Sequence, residues 1–441
     1  MIQAIFTTLN QYIKTKWGRS FSSREELEHW QDQQVHKHLK WIIPRSPFYQ
    51  QYIGNRPLSE WRSFPTIDKK IMMDHFDTFN LAGLHKEEAY RVALQAEESR
   101  DFSPTIGKYT IGLSSGTSGH RGLFVVSDQE RFRWAGYVIA KLLPRSLLST
   151  HRIAFFLRAN SNLYTSVERG NIQFCFFDLM LPPEEHVERL QLFQPTLLVA
   201  PPSMLRYLAD QQLQNQLAIQ PQKIISVAEV LDPLDQTVMT EAFGQVIHQV
   251  YQCTEGLLAT TCEHGTLHIN EDLLVVQKEY LDEEKRKFSP ILTDFSRITQ
   301  PIIRYRLNDI LTERSAPCPC GSIHLALEQI EGRCDDLFYF LSTDGSKQVP
   351  IFPDFIRRAI ITVDAEIEEY KVIQIGSQQI EIAIKTEEHV EEQAKQLIIQ
   401  SFDRMTQEMN VQMPTLQFVP YQYTPGTTKL RRVEQKWKPH S

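Results

Sequence analysis

The sequence predicts an α/β fold: a large N-terminal part of mixed β-sheets and helices, followed by a small α+β module. Three features predict it. The first hundred residues read as mainly helical, short β-rich runs alternate with helix-like intervals from residue 109 on, and beyond Gly332 the order becomes strand, helix, two strands, helix, strand. At 441 residues the chain has room for roughly three average domains of about 150 residues each. Hydrophobic residues make up 41% and charged residues 23%, a globular balance that excludes disorder and fibre as global descriptions.

Within 1–100, Ser23 and Glu26 have capping-box spacing, and Leu27, Trp30 and Val35 recur at helical intervals. Pro44, Pro47 and Pro57 punctuate the segment, and Pro65 precedes a helical stretch over 69–79. The β-rich runs are 109–113, 153–157, 173–177, 196–200, 223–227 and 246–251. Past Gly332 come a strand at 336–341, a helix at 352–361, strands at 370–375 and 379–385, a charged helix at 389–407 and a strand at 415–420. That succession predicts a ferredoxin-like module, so 1–332 and 333–441 are the expected domains, with a hinge at their boundary.

The 47 basic and 54 acidic side chains leave a formal charge of −7, no footprint for nucleic acid or an anionic membrane. A nucleotide would have to be held locally. The opening stretch, 1–17, lacks the order of a secretion signal, and apolar runs elsewhere stop short of the roughly 18 residues that cross a bilayer. A cytoplasmic protein without membrane insertion is expected. Six cysteines (Cys175, Cys253, Cys262, Cys318, Cys320 and Cys334) are too sparse for a disulfide scaffold, which favours reduced thiols or metal ligation.

The densest chemical signal is Ser114-Ser115-Gly116-Thr117-Ser118-Gly119-His120-Arg121-Gly122, directly after the run at 109–113. Glycines let main-chain N–H groups approach an anion and hydroxyls add donors, so the segment suits phosphate. It lacks the Gly-Lys-Ser/Thr ending of a Walker loop, and alone it would more often be a turn. It is followed in order by Tyr251-Gln252-Cys253-Thr254-Glu255-Gly256, by Pro301-Ile302-Ile303-Arg304-Tyr305-Arg306-Leu307-Asn308-Asp309, by Gly332-Arg333-Cys334-Asp335-Asp336, and by Gly426-Thr427-Thr428-Lys429-Leu430-Arg431-Arg432-Val433.

This ordered set resembles the adenylate-forming superfamily, most closely its phenylacetate-CoA ligase branch, which includes deazaflavin coenzyme synthetases. The resemblance runs from Ser46-Pro47-Phe48-Tyr49 to Arg432-Val433, nearly the whole chain. It implies that Ser114, Ser115, Gly116, Thr117, Ser118 and Gly119 enclose the β- and γ-phosphates of ATP. It further implies that Tyr251 lies against adenine, that Thr254 meets the α-phosphate, and that Glu255 helps hold Mg²⁺. Asp309 would accept the ribose hydroxyls, although Leu307-Asn308-Asp309 stands where relatives commonly carry Thr-Gly-Asp. Arg333 would also contact the nucleotide, Asp335 sits at the family's hinge, and Lys429 would bridge the attacking carboxylate and the α-phosphoryl oxygens.

Segments 155–164, 170–177 and 226–229 fall where relatives place the acyl pocket, making Tyr164, Phe174, Ala228 and Glu229 its candidate walls and an aromatic acid the expected substrate. Separately, the thiols of Cys318-Pro319-Cys320-Gly321 join Cys262 and His268 as a candidate Cys₃His zinc set, with His264 the alternative nitrogen ligand; unrelated reduced thiols are the other reading. The expected reaction is ATP-dependent formation of an acyl-AMP with release of pyrophosphate, then acyl transfer to CoA or an acyl carrier protein thiol. An adenylyltransferase that leaves AMP on its substrate and a non-catalytic nucleotide-binding scaffold are the alternatives. A homodimer is a further expectation.

Overall fold

The computed structural model describes all residues except 1, 19, 101–102, 115–120, 159–166, 168–169, 285, 364, 424–428 and 438–441. Among the described residues of the first hundred lie six α-helices: α1 (Ile2–Trp17), α2 (Arg24–Ile42), α3 (Pro47–Ile53), α4 (Lys69–Asp74), α5 (Phe76–Phe79) and α6 (Lys86–Ser99). Ser23 caps α2 by accepting the Glu26 N–H (3.2 Å), but the Glu26 carboxylate turns to the Ser22 N–H (2.8 Å), so the box closes one residue earlier than its spacing suggests. The helix expected over 69–79 breaks at His75 into α4 and α5. Leu27, Val35, Leu39 and Ile42 of α2 are buried. Val35, Leu39 and Ile42 pack with Trp61, Phe64, Phe76 and Phe79 against the sheet. Burying each such side chain stabilises by about 1.5–3 kcal/mol.

Strands β1 (Thr105–Ile106), β2 (Tyr109–Leu113) and β3 (Leu123–Ser127) form a small antiparallel sheet that carries the two ends of the glycine-rich segment. The main sheet begins with parallel strands β4 (His151–Leu157), β5 (Ile172–Asp178), β6 (Leu197–Ala200), β7 (Lys223–Ser226) and β8 (Ile247–Cys253), arranged β5-β4-β6-β7-β8. It continues through antiparallel β9 (Gly256–Thr261), β10 (Leu267–Ile269), β15 (Ala326–Arg333), β14 (Asp309–Glu313), β12 (Lys287–Asp294) and β11 (Leu274–Tyr280), with β13 (Ile302–Arg306) paired to β12. β8 is the seam, parallel to β7 and antiparallel to β9.

Alternation along each parallel strand sends side chains to two helical layers. Ala154, Phe156, Leu198 and Ile224 meet α8 (Pro183–Phe193), α9 (Pro202–Leu213) and α10 (Pro233–Phe243) on one face. Ile153, Leu197, Val199 and Ile225 meet α7 (Asp128–Leu142), itself backed by α1, on the other.

The final module has its own core, built from α11 (Pro353–Ile361) and α12 (Glu391–Glu408) against β18 (Glu369–Gly376) and β19 (Gln379–Lys385). Its sheet runs β20 (Thr415–Pro420), β19, β18, β21 (Val433–Gln435). The α+β character matches the sequence reading, but the strand expected at 336–341 does not enter this sheet. It is β16 (Phe338–Leu341), paired with β17 (Gln348–Ile351) in a hairpin. Asp344 makes that turn by accepting from Ser346 N (3.0 Å) and the Ser342 hydroxyl (2.5 Å), and Gly345 supplies a φ of +71°. A partner so close in sequence costs little loop entropy. The vacated sheet edge goes to β21, which runs parallel to β18 with Val372 beside Val433.

Candidate active site

In chain order the parallel strands lie 2-1-3-4-5, so the connections diverge between β4 and β6, and a crevice is expected outside their carboxyl ends. A cavity of about 1270 Å³ opens there. It is bounded by the ends of β4, β6, β7 and β8, by the loop around Ser114, by β14 and β15, and by the tail at Lys429.

Tyr251 and Asp309 meet although one ends a parallel strand and the other begins an antiparallel one: the Tyr251 hydroxyl donates to Asp309 Oδ2. Arg333 is the cross-strand partner of Asp309 and holds its Nε 3.8 Å from Oδ1. Burial pushes the Asp309 carboxyl above the usual range, opposed by the Tyr251 hydroxyl and by Arg333. Glu255 lies buried beyond the end of β8, accepts from the Thr254 hydroxyl (2.9 Å), and shares the cavity wall with Asp294. Arg297 donates to Thr254 O (2.6 Å) and fixes the turn. Cys253 is half-buried, and desolvation first, then the Glu255 and Asp309 charges, push its thiol up, which does not suit a nucleophile.

At the phosphate end, the Ser114 N–H donates to Gly122 O (2.8 Å) and the Gly122 N–H returns to Ser114 Oγ (2.8 Å), tying the loop at its base. Ser115, Gly116, Thr117, Ser118 and Gly119 lie outside the described residues. Lys69 donates to Ser114 Oγ (3.1 Å), and a Cβ at Gly122 would stand 3.0 Å from Lys69 Cε, so a larger residue there would push the lysine aside by a few tenths of an ångström. Arg121 closes the same corner through Ser114 O (2.9 Å) and Glu97. Sequence reasoning missed Lys69 and Arg158, both of which line the cavity. Each is brought in by the fold, with no local pattern to mark it as part of a site.

The tail reaches the crevice at the Ala228–Glu229 turn. Lys429 Nζ donates to Ala228 O (2.8 Å), and the Leu430 N–H donates to Glu229 Oε1 (3.2 Å). Ala228 has a φ of +69°, a left-handed conformation that alanine rarely adopts and that functional turns sometimes store. Burial lowers the Lys429 pKa, Glu229 opposes that, and the charges of Arg333 and Arg158 add to it. Glu229 therefore lines the cavity and also grips the tail, while burial raises its own carboxyl.

One stretch of the remaining wall is apolar: Trp134, Val138, Phe155, Phe174, Ile225 and Val250 line it, with the Phe155 and Phe174 rings 5.4 Å apart. Tyr164 lies outside the described residues. Asp335 occupies a short turn after β15 and accepts from Asn308 Nδ2 (2.6 Å). Gly332, just before it, has a φ of +140° that favours glycine.

Away from this crevice, Cys262, His268, Cys318 and Cys320 bring their ligand atoms within 4.8 Å of one another. Cys262 and His268 belong to the β9–β10 hairpin, and Cys318 and Cys320 to the loop between β14 and β15. Sγ of Cys262 is 3.7 Å from that of Cys318, and Sγ of Cys320 is 3.4 Å from His268 Nε2. Tetrahedral zinc with bonds of about 2.3 Å to sulfur gives S–S edges of about 3.8 Å. His268 Nδ1 faces His324 O (3.2 Å), which leaves Nε2 for an ion. Burial opposes ionisation of Cys318, yet hydrogen bonds from Thr266, the Cys320 N–H and His268 outweigh it and bring the thiol down to about 6. The alternative ligand, His264, is excluded from the cluster: it sits in the exposed turn beside Glu263 (3.8 Å).

No family model matches the sequence. The chain is 21% identical over 384 residues to the phenylacetate-coenzyme A ligase of Thermus thermophilus, covering 79% of this chain and 78% of that one. It superposes on 2-hydroxyisobutyryl-CoA ligase in the postadenylation state with 2-HIB-AMP at a TM-score of 0.70, with 14% identity over 93% of this chain and 90% of that one. Against the same ligase in the thioesterification state with CoA, the TM-score is 0.57 at 15% identity, over 94% and 91% of the two chains. The chain thus has the fold of the adenylate-forming CoA ligases, and among the described residues no helix is long and apolar enough to cross a membrane.

Proposed function

We propose that the protein is an ATP-dependent acid–thiol ligase. One observation carries the reading: the Tyr251–Asp309–Arg333 group, the base of the Ser114 loop, Glu255 and Lys429 come from distant stretches of the chain and line one crevice. In the first step a carboxylate oxygen attacks the α-phosphorus of ATP, the bond to the β-phosphate breaks, and acyl-AMP and pyrophosphate result. In the second a thiolate attacks the acyl carbon and AMP leaves, giving a thioester of CoA or of a carrier protein.

Each group has a part that follows from its chemistry. Asp309 accepts from the ribose hydroxyls while Tyr251 holds its carboxylate in place, and Lys69, Arg121 and the Ser114 loop offset the charge of the outer phosphates. Lys429 bridges the attacking carboxylate and the α-phosphoryl group, two anions that would otherwise repel. Buried Glu255 offers a carboxylate oxygen, the kind of ligand Mg²⁺ prefers; a bound Mg²⁺ would neutralise phosphate charge. The apolar wall suits an acid with a flat, uncharged body, an aromatic carboxylate. The module beyond Gly332 turns about the Asp335 turn between the two steps and withdraws Lys429. The higher TM-score with the postadenylation state supports reading the present arrangement as the one that serves adenylation.

A structural zinc held by Cys262, His268, Cys318 and Cys320 would clamp the β9–β10 hairpin to the β14–β15 loop, with four protein ligands and no open position for substrate. A reducing cytoplasm suits six cysteines of which none is paired in a disulfide.

The test is acid-dependent ATP–pyrophosphate exchange over a panel of aromatic, aliphatic and amino acids, followed by product analysis with CoA. Exchange with at least one acid, then free AMP and a thioester, is the expected result. A product that retains AMP would make the enzyme an adenylyltransferase, and ATP binding without exchange would make it a scaffold.

A further inference from the structure

We propose that Asp235 and Arg432 are positioning residues for acid activation: with Asp232, Arg357 and Tyr370 they form a buried ionic latch that holds the C-terminal module where it presents Lys429. The inference rests on the ligase reading and adds to it the means by which one half-reaction is favoured.

The latch lies at the start of α10. Asp232 caps that helix by accepting the Leu234 N–H (3.0 Å), and Asp235 stands in its first turn; they are 2% and 1% exposed. From the module, Arg432 donates through Nη2 to both Asp235 oxygens (2.6 Å each) and through Nε to Oδ2 (3.1 Å). Its Nη1 donates to Tyr370 O (3.0 Å) and its guanidinium lies 5.0 Å from the centre of the Tyr370 ring, so the side chain is held on three sides. The Tyr370 hydroxyl donates to Asp232 Oδ2 (2.6 Å), and Arg357 Nε lies 3.2 Å from the same oxygen. Arg206 of α9 approaches Asp235 (3.5 Å) and also donates to Glu368 O (3.2 Å).

Such a group suits a latch better than a permanent seam. A buried ion pair gains little net free energy over its hydrated parts, but it demands one geometry and penalises any displacement that leaves a charge unpaired and dry. An apolar seam would tolerate sliding; this one does not. Turning the module away would expose both sides to water, where each charge recovers its hydration. The contacts therefore select an orientation without making it irreversible. Arg432 follows Lys429 by three positions, and Leu430 between them is tied to Glu229, so the register set at Asp235 is passed directly to the lysine.

Asp235→Asn preserves shape and removes the charge. Three measurements on the full chain test it: acid-dependent ATP–pyrophosphate exchange, thioester formation from a synthetic acyl-adenylate and CoA, and hydrogen–deuterium exchange of residues 429–435 without substrates. We expect pyrophosphate exchange to fall at least tenfold, thioester formation to hold or rise, and the amides of 429–435 to exchange about tenfold faster while β6 and β7 stay protected. Unchanged protection of 429–435, or an equal fall in both half-reactions, would overturn the latch. The amide measurement needs no substrate, so a wild-type protein inactive with every acid would sink the ligase reading without deciding the latch. If Asp235→Asn does not fold, Tyr370→Phe removes only the hydroxyl that reaches Asp232. It is expected to shift the same three readouts in the same directions by about threefold, and no shift would count against the proposal.

Discussion

Replacing Lys429 by alanine removes one ammonium from a crevice whose wall also carries Lys69, Arg121, Arg158 and Arg333. These and the other cations of the wall remain to attract the triphosphate, so ground-state binding of ATP should weaken only a few-fold. The activated step is different. Charge there shifts toward the pyrophosphate and the carboxylate must approach the α-phosphoryl group, and the tail holds Lys429 in the crevice beside Ala228 and Glu229. Two unit charges about 4 Å apart at an effective dielectric of about 20 interact by about 4 kcal/mol. Loss of one preorganised donor in comparable sites lowers kcat by about 10²–10³. The expected outcome for Lys429→Ala is therefore a fall of about 10²–10³ in kcat for pyrophosphate exchange, with KM for ATP within about fivefold of wild type. Thioester formation from a supplied acyl-adenylate should persist. Steady-state exchange kinetics measure the first two quantities and a coupled CoA assay the third. A loss confined to KM, or an unchanged kcat, would refute the assigned role.

Asp309→Asn should raise KM for ATP by about 10–100-fold, the scale of hydrogen bonds to a charged acceptor, and should erase discrimination between ATP and 2′-deoxy-ATP; retained discrimination would show that another group reads the ribose. Purified protein should carry one equivalent of zinc, and Cys318→Ser should abolish it and lower Tm by about 3 °C, for an ion contributing about 3 kcal/mol by mass action; metal analysis with calorimetry decides. Burial lowers the His38 pKa to about 4, with Glu130 opposing, so the folded state favours the neutral ring. Its contribution, at most about 3 kcal/mol, is present above pH 6.5 and is lost as pH falls toward 4, and denaturant titrations of His38→Gln should show a flatter acid limb than wild type. His248, lowered to about 4 by burial and by Lys223, works in the same direction.

Contiguous signals carried most of what could be read without the structure. The strand predicted at 109–113 coincides with β2, and the helix at 352–361 differs from α11 by one residue at its start. The glycine-rich segment, the Tyr251–Glu255 box and the lysine segment are each local strings, so their order survives in sequence. What failed to show depends on distant partners. β12 is buried along nearly its whole length and so lacks the alternation that marks a half-buried strand. Lys69 and Arg158 acquire meaning only from the crevice. The choice between His264 and His268 turns on register, because pairing of His268 with Ala326 carries its ring toward the Cys318–Cys320 loop while His264 stays in the hairpin turn. The hairpin of β16 and β17 captured a strand expected in the module's sheet because a neighbour in sequence is cheaper to reach than one across the core.

That exchange of strands ties the chemistry to mechanics. β21 starts at Val433, directly after Arg432, and is bonded along the edge of β18. The ammonium group is therefore mounted close to the root of a structural member, so the proposed movement of the four-stranded sheet would carry the lysine with it. A few residues inserted between Arg432 and Val433 would add slack, and under that proposal would let the lysine stay behind while the sheet departs.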